Sequence, residues 1–125
     1  MYNELAFEIL RGTTLACIET IDGELIFTLD YGEKYKLWHN QECCEDVYIE
    51  SICGNLDDLI GTPILMAEVS SNSDEMPADI EQPPYCEDSF TWTFYRIGTA
   101  KGTVVIRWYG TSNGYYSEAV DFIRI

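Results

Sequence analysis

The sequence predicts an α+β domain that is mostly antiparallel β-sheet, with one short helix and one loop stapled by zinc. Three observations favour this class. Apolar and aromatic residues fall in short β-rich runs that are separated by turn signals. Only the segment 55–61 has the capping pattern of a helix. The single histidine and three of the five cysteines lie between residues 39 and 53.

Length and composition predict one domain over residues 1–125. A chain of 125 residues can bury a single core, and 46% apolar residues exclude a wholly disordered chain. No apolar run approaches the roughly 18 residues of a membrane span. The start of the chain has no basic region before an apolar run, and the cysteine count is odd. We therefore expect a cytoplasmic protein with reduced or metal-bound thiols.

The predicted strands follow from β-rich composition and period-two alternation. Glu4–Leu10 is either a short strand or one helical turn. Further strands are predicted at 14–21, 24–31, 35–39, 47–52, 64–69, 90–95 and 103–109. Asp22-Gly23 predicts a tight hairpin between the first two of these, and Asn113-Gly114 predicts a type I′ turn leading to a closing strand through 120–122. The last third should therefore form three consecutive antiparallel strands.

The one predicted helix is short. Asn55 can cap it, Asp57 and Asp58 suit the positive end of its dipole, and Gly61 can end it in the left-handed conformation. Residues 70–89 instead predict a mobile acidic loop, because 70–88 contain six carboxylates, three prolines and no Lys or Arg. A solvated insertion without a function is the alternative.

The residues His39, Cys43, Cys44 and Cys53 are the predicted ligands of a structural Zn²⁺ ion. Imidazole and thiolate are ligands that zinc prefers, and four of them occur within fifteen residues. Cys43 and Cys44 can both bind one ion only from irregular backbone, so Cys86 is the reserve ligand. The alternative is that these cysteines are buried thiols and that His39 is an ordinary loop histidine.

The charge balance is strongly acidic. Twenty-two carboxylates face seven Lys and Arg residues, which gives a net charge of −15 and a pI near 4.1. Such a chain repels phosphate backbones and favours encounter with basic protein surfaces, so we expect no direct nucleic-acid binding. Solubility is the simpler explanation of the charge. Imitation of nucleic acid is the more specific one.

Four strings of residues resemble a family of small uncharacterised proteins of bacteriophages and prophages. They are H-x-Q-x-C-C-E over 39–45, V-Y-I-E-x-I-x-G-x-L-x-D-L-I-G-x-P-I-L over 47–65, W-T-F-Y over 92–95, and I-R-W-Y-G-x-S-N-G-Y-Y-S-E over 106–118. The resemblance covers most of residues 34–122. It brings no established activity with it.

The resemblance implies an anti-defence role. Small acidic phage proteins without a catalytic signature are often inhibitors, and in size and charge this chain is similar to anti-CRISPR proteins that bind Cas9. We expect stoichiometric inhibition of a host nuclease such as Cas9 through its basic surface. The expected contacts are carboxylates of the acidic loop and of the Cys/His region: Glu42, Glu45, Asp46, Asp74, Glu75, Asp79, Glu81, Glu87 and Asp88.

Two other functions stay open. A hydrolase could use Cys43 or Cys44 as a nucleophile with His39 as its base, oriented by Glu45 or Asp46, or a zinc-activated water. A spacing of four residues between nucleophile and base matches no recognised motif, and the chain has neither a phosphate-binding glycine loop nor an H-E-x-x-H pair. A virion assembly protein would instead self-associate.

Overall fold

Two antiparallel four-stranded sheets form the computed structural model, which describes residues 5–73 and 88–125. The strands of the first sheet are β1 (Leu15–Ile21), β2 (Glu24–Leu29), β3 (Lys34–Trp38) and β8 (Asp121–Arg124). Those of the second are β4 (Asp46–Cys53), β5 (Met66–Ser73), β6 (Ser89–Thr99) and β7 (Gly102–Ser112). The first sheet has the order β1-β2-β3-β8 and the second has the order β4-β7-β6-β5.

The two sheets pack face to face around one apolar core. Alternate residues of both sheets point inward, as a period of two requires, and one cluster includes residues from each of them. Phe7 fills the space between the sheets, where its ring makes edge contacts with Phe27, Tyr95 and Phe122. Phe7 therefore contacts both sheets, since Phe27 and Phe122 belong to the first and Tyr95 belongs to the second.

The hairpin between β1 and β2 forms where the sequence predicts it. Ile21 pairs with Glu24, and Asp22 and Gly23 have φ angles of 51° and 77°. Positive φ at both central residues is the type I′ geometry, whose twist matches that of the flanking strands. The strands predicted around it are present with shifts of one or two residues.

The predicted α+β class is wrong, because the described residues contain strands and two 3₁₀ turns but no α-helix. The segment predicted as a helix forms a 3₁₀ turn at Leu56–Leu59, and a second 3₁₀ turn spans Phe7–Leu10. Asn55 does cap the former by accepting from the N–H of Asp57 at 3.0 Å. Two turns of helix cannot repay the cost of nucleation, so burial of Leu59 in the core decides the conformation. The fold is therefore mostly β.

The predicted run of three consecutive antiparallel strands is also wrong. β6 and β7 form a hairpin, but β8 pairs with β3 in the other sheet. Asn113 does not have the positive φ of a type I′ turn, and its side chain accepts from the N–H of Tyr115 at 3.0 Å instead. Residues 113–120 thus carry the chain from one sheet to the other.

The acidic stretch begins later than predicted. Residues 70–73 belong to β5 and pair with β6, and Ser89 begins β6. The predicted mobility of the rest of this stretch falls on residues 74–87, which lie outside the described residues.

Candidate functional site

The loop of residues 39–45 is organised around the carboxylate of Glu45. Its Oε2 accepts from the N–H of Glu42 and its Oε1 from the N–H of Cys43, both at 2.9 Å. Gln41 donates from Nε2 to the backbone carbonyl of Glu45 at 2.5 Å and to its Oε1 at 3.3 Å. The Glu45 side chain has 0% exposure. The hydrogen bonds of this buried carboxylate therefore close the loop, and the described residues show no zinc site that would staple it.

These contacts keep Glu45 charged despite its burial. Burial alone raises the pKa of a carboxyl group. Hydrogen bonds from the backbone N–H groups of Cys43, Glu42 and Glu45 itself, and from His39, favour the charged form and outweigh burial. The pKa of Glu45 consequently falls from 4.5 to about 2. Glu45 accepts from the N–H of Glu42, three residues earlier. A glutamate in a capping box makes the same kind of contact, and this spacing is the sequence signal that could have identified the role of Glu45.

His39 joins this loop to the segment that precedes β8. Its Nε2 lies 2.7 Å from Oε2 of Glu45, and its Nδ1 lies 2.7 Å from the carbonyl oxygen of Ala119. Both partners can only accept, since the carboxylate is ionised and a carbonyl has no proton. Both ring nitrogens of His39 therefore face oxygen acceptors. The side chain is 5% exposed, so the contact between this imidazole and the carboxylate is nearly buried.

The cysteines predicted as zinc ligands are not brought together. Cys43 and Cys44 are both exposed and are bonded to each other in a vicinal disulfide, which differs from the reduced thiols that the sequence predicts. Cys53 is an exposed free thiol at the opposite end of β4. Eight residues of strand at about 3.3 Å each place it more than 20 Å along the sheet from Asp46. Cys86 lies outside the described residues.

Within residues 5–73 and 88–125, no group of three or more His, Cys, Asp and Glu side chains could hold a metal ion. His39 as placed also lacks the free nitrogen lone pair that a zinc ligand needs, because both of its nitrogens face oxygen acceptors. Binding of zinc by this chain stays a prediction.

A second carboxylate centre lies beside the first and was missed by sequence reasoning. Glu118 accepts hydrogen bonds from three hydroxyl groups of β6 and β7. Thr91 donates to Oε1 at 2.8 Å, whereas Ser112 at 2.5 Å and Ser89 both donate to Oε2. Ser89 and Ser112 are paired across the two strands. Only this register brings the donors together, so no local pattern could have revealed the cluster.

The two carboxylate centres lie at one end of the sandwich, which we call the acidic end and define as residues 39–46, 88–89 and 113–121. Asp46 pairs with Thr111, Ser89 with Ser112, and Trp38 with Asp121, which brings these segments together. Neither 37–95 nor 108–123 contains Lys or Arg, so the one basic side chain of the acidic end is His39, which is paired with Glu45.

Three of the predicted partner contacts are exposed at the acidic end. They are Glu42, Asp46 and Asp88. Glu45, also predicted as a contact, is buried and its carboxylate is used inside the loop, so it does not reach a partner. The remaining predicted contacts, Asp74, Glu75, Asp79, Glu81 and Glu87, lie outside the described residues.

The seven Lys and Arg residues lie outside the acidic end, and six of them make side-chain contacts within the fold. Lys36, Arg107 and Arg124 form ion pairs with Glu24, Glu50 and Glu33 at 3.3, 2.7 and 3.5 Å. Arg11, Arg96 and Lys101 donate to neutral oxygens of Ala67, Ser70 and Ile60. The excess negative charge at the acidic end is therefore not neutralised by neighbouring basic side chains.

The described part of the chain contains no helix long and apolar enough to cross a membrane.

Comparison with known proteins identifies a family but no characterised relative. The family model of a domain of unknown function, DUF7448, matches residues 8–122. No curated protein and no solved structure matches the chain. The matched range spans both sheets, the loop around Glu45 and the Glu118 cluster, and it contains all the strings quoted above. This chain belongs to the DUF7448 family, a domain of unknown function.

Proposed function

We propose that this chain is a phage-encoded anti-defence protein that binds a basic surface of a host nuclease stoichiometrically and blocks it. Cas9 is the proposed target, and the host cytoplasm is the proposed place of action. The observation that carries the proposal is the acidic end, where exposed Glu42, Asp46 and Asp88 occur on segments without any Lys or Arg.

The charge of such a surface suits a partner that binds nucleic acid. A Cas9-type effector holds its guide heteroduplex in a positively charged channel through the phosphate backbone. Carboxylates on a rigid support can occupy such a channel in place of phosphates. The encounter is then accelerated by long-range attraction between the two surfaces.

The network around Glu45 supports binding rather than chemistry. It holds the 39–45 loop through hydrogen bonds to Glu42, Cys43 and His39, so the exposed carboxylates beside it are presented on ordered backbone. Preorganisation of this kind lowers the entropy lost on association. A surface that binds by complementarity benefits from it directly.

The hydrolase alternative has less support. A catalytic base needs a free nitrogen lone pair, whereas both nitrogens of His39 face acceptors, and the sulfur atoms of Cys43 and Cys44 are bonded to each other. For a virion assembly protein, no specific feature of the described residues offers support.

The experiment is a binding and cleavage assay with the guide-loaded nuclease. Wild-type protein should form a 1:1 complex in isothermal titration calorimetry and should stop DNA cleavage at equimolar concentration. The triple variant Glu42→Lys, Asp46→Lys, Asp88→Lys should weaken binding by at least tenfold, because it reverses three charges at the proposed contact surface.

A matched control reverses the same number of charges away from the acidic end. Glu19, Asp30 and Asp57 are exposed and lie on β1, in the β2–β3 turn and in the 3₁₀ turn at Leu56–Leu59. Replacing these three by Lys should leave binding within about threefold of wild type. Equal losses in both triple variants would contradict a specific acidic contact surface, and no binding by wild-type protein would exclude this target.

A further inference from the structure

An open cleft of about 490 Å³ lies between the edge strands β5 and β8, next to the acidic end. Its apolar floor includes Phe7, Val69 and Phe122, and its polar wall includes Thr93 and Thr91. The carboxyl-bearing residues Glu8 and Glu118 also line it, and no Lys, Arg or His is among its described lining residues. Its size is within the range of about 300–1,000 Å³ typical of ligand pockets.

The hydrogen bonds of Glu118 leave an acceptor position on the cleft side. A carboxylate offers about four acceptor positions. Oε2 uses two for Ser89 and Ser112, neither of which lines the cleft. Oε1 receives only Thr91, which does line the cleft. The position still open therefore belongs to Oε1, whose donor Thr91 lines the cleft, and the three hydroxyl groups together hold the carboxylate group in place.

We infer that this cleft receives the ammonium group of a lysine side chain from the partner protein. Glu8 and Glu118 favour a cationic group because no Lys, Arg or His is among the described lining residues, and the apolar floor suits the methylene stem of a long side chain. An ammonium group has three rotatable donors that can each reach a separate oxygen. A guanidinium fork prefers both oxygens of one carboxylate, but Oε2 of Glu118 is already used twice.

This inference rests on the proposed function, because it takes the partner to be a protein with a basic surface. It adds the chemical class of one contact. The cleft is distinct from the exposed carboxylates of Glu42, Asp46 and Asp88, although it adjoins them. Residues 117–120 line the cleft, and the carbonyl of Ala119 within them accepts from His39.

The test uses a blocked tripeptide, N-acetyl-glycyl-lysyl-glycinamide, titrated into the ¹⁵N-labelled full chain. Shifts of the amide resonances of Phe7, Thr91 and Glu118 should report saturable binding. The same peptide with an acetylated lysine side chain should not bind, because it keeps the stem but lacks the charge. The arginine peptide should bind more weakly than the lysine peptide.

Two variants address the carboxylates separately. Glu118→Gln should weaken lysine-peptide binding by roughly fivefold, as expected for a partly exposed ion pair. Because this change also disturbs three hydroxyl contacts, Glu8→Gln is the second variant, and it should weaken binding to a similar extent without touching them. Glu19→Gln on β1 removes the same charge far from the cleft and should leave the affinity unchanged.

Several outcomes would overturn the inference. Binding of the acetylated peptide with equal affinity would remove the role of charge, and stronger binding of the arginine peptide would contradict an ammonium site. Spermidine binding more tightly than the lysine peptide would indicate a small amine rather than a protein side chain. Unchanged affinity in both Glu8→Gln and Glu118→Gln would place the contact elsewhere.

Different experimental results would exclude the lysine site in the cleft and the proposed nuclease target. Binding of the nuclease at wild-type affinity by both Glu8→Gln and Glu118→Gln would exclude the cleft and leave the exposed carboxylates of Glu42, Asp46 and Asp88 as the contact. Binding of the lysine peptide without any binding of the nuclease would support the cleft and exclude the proposed target.

Discussion

At the scale of single residues, the buried pair of His39 and Glu45 determines the local structure of the Cys/His loop. The residue types around position 39 suggest a metal site, since histidine and cysteine are zinc ligands. The alternative to zinc binding is that residues of this loop are held by hydrogen bonds to one another. Glu45 accepts two backbone N–H groups and contacts the imidazole of His39, so hydrogen bonds satisfy its negative charge. Such pairs are costly to break from one side, because the remaining charge stays buried.

The variant Glu45→Gln should therefore lower the free energy of unfolding by about 2–4 kcal/mol, since it removes the charge from hydrogen bonds that are buried. Urea denaturation of wild type and variant measures the difference. Glu42→Gln is the matched control, because that side chain is exposed, and it should change stability by less than about 0.5 kcal/mol. Equal stabilities of all three proteins would mean that the carboxylate of Glu45 contributes nothing to the fold.

The same residue predicts a pH dependence with a definite sign. The pKa of Glu45 falls from 4.5 to about 2, so the folded protein holds this proton less tightly than the unfolded chain does. The stabilisation is fully present above pH 4.5 and disappears as the pH falls through about 2. The stability difference between wild type and Glu45→Gln should shrink across this window. Because wild type and variant share all other carboxyl groups, the contributions of those groups to the pH dependence cancel in the difference. A difference that stays constant from pH 5 to pH 2 would contradict the lowered pKa.

At the scale of elements, local signals predict turns better than they predict partners. The Asp22-Gly23 hairpin is confirmed because its two left-handed residues are adjacent in sequence. The segment 55–61 has a genuine cap but only one turn, and tertiary burial of Leu59 fixes it as 3₁₀. The donors to Glu118 come from two strands, and Glu118 itself lies on the segment that connects β7 to β8. Their meeting depends on the register of β6 and β7, which no pattern of single residues contains.

Gly54, at the end of β4, should be the less replaceable of two glycines with positive φ. A Cβ at Gly54 would lie 2.7 Å from the carbonyl oxygen of Thr103, and φ is +115° there. At Gly23, φ is +77° and no atom lies within 4 Å of an added Cβ. Gly23→Ala should cost about 1 kcal/mol from backbone conformation alone. Gly54→Ala should cost at least about 2 kcal/mol because backbone must also move. Thermal melts with equal shifts would contradict the steric argument.

For the whole molecule, the sequence shows how many charged residues there are but not where the fold places them. It reveals the charge of −15 and the stretches without Lys or Arg. It does not reveal that β8 crosses to the first sheet, which places 113–121 beside 39–46 and so makes one acidic end from distant segments. Phe122 directs this crossing, because its ring contacts Phe7, Phe27 and Tyr35 inside the core. The fold thus brings together acidic residues that lie far apart in the sequence.

A contact surface of this kind predicts how binding to the nuclease depends on salt. Attraction between an acidic end and a basic channel acts over about 10 Å at 0.1 M salt and over about 3 Å at 1 M. The association rate constant should therefore fall by roughly tenfold or more between 50 mM and 500 mM NaCl, while the dissociation rate constant changes much less. Surface plasmon resonance with immobilised nuclease measures both constants.

The triple variant Glu42→Lys, Asp46→Lys, Asp88→Lys should show a much weaker salt dependence than wild type, because it no longer presents a uniform negative surface. The control with Glu19, Asp30 and Asp57 changed to Lys has the same net charge and should keep most of the dependence. If both variants lose it equally, net charge alone drives the encounter. If wild-type association is instead insensitive to salt, and the protein self-associates as salt is raised, an assembly role driven by apolar contacts replaces the acidic inhibitor.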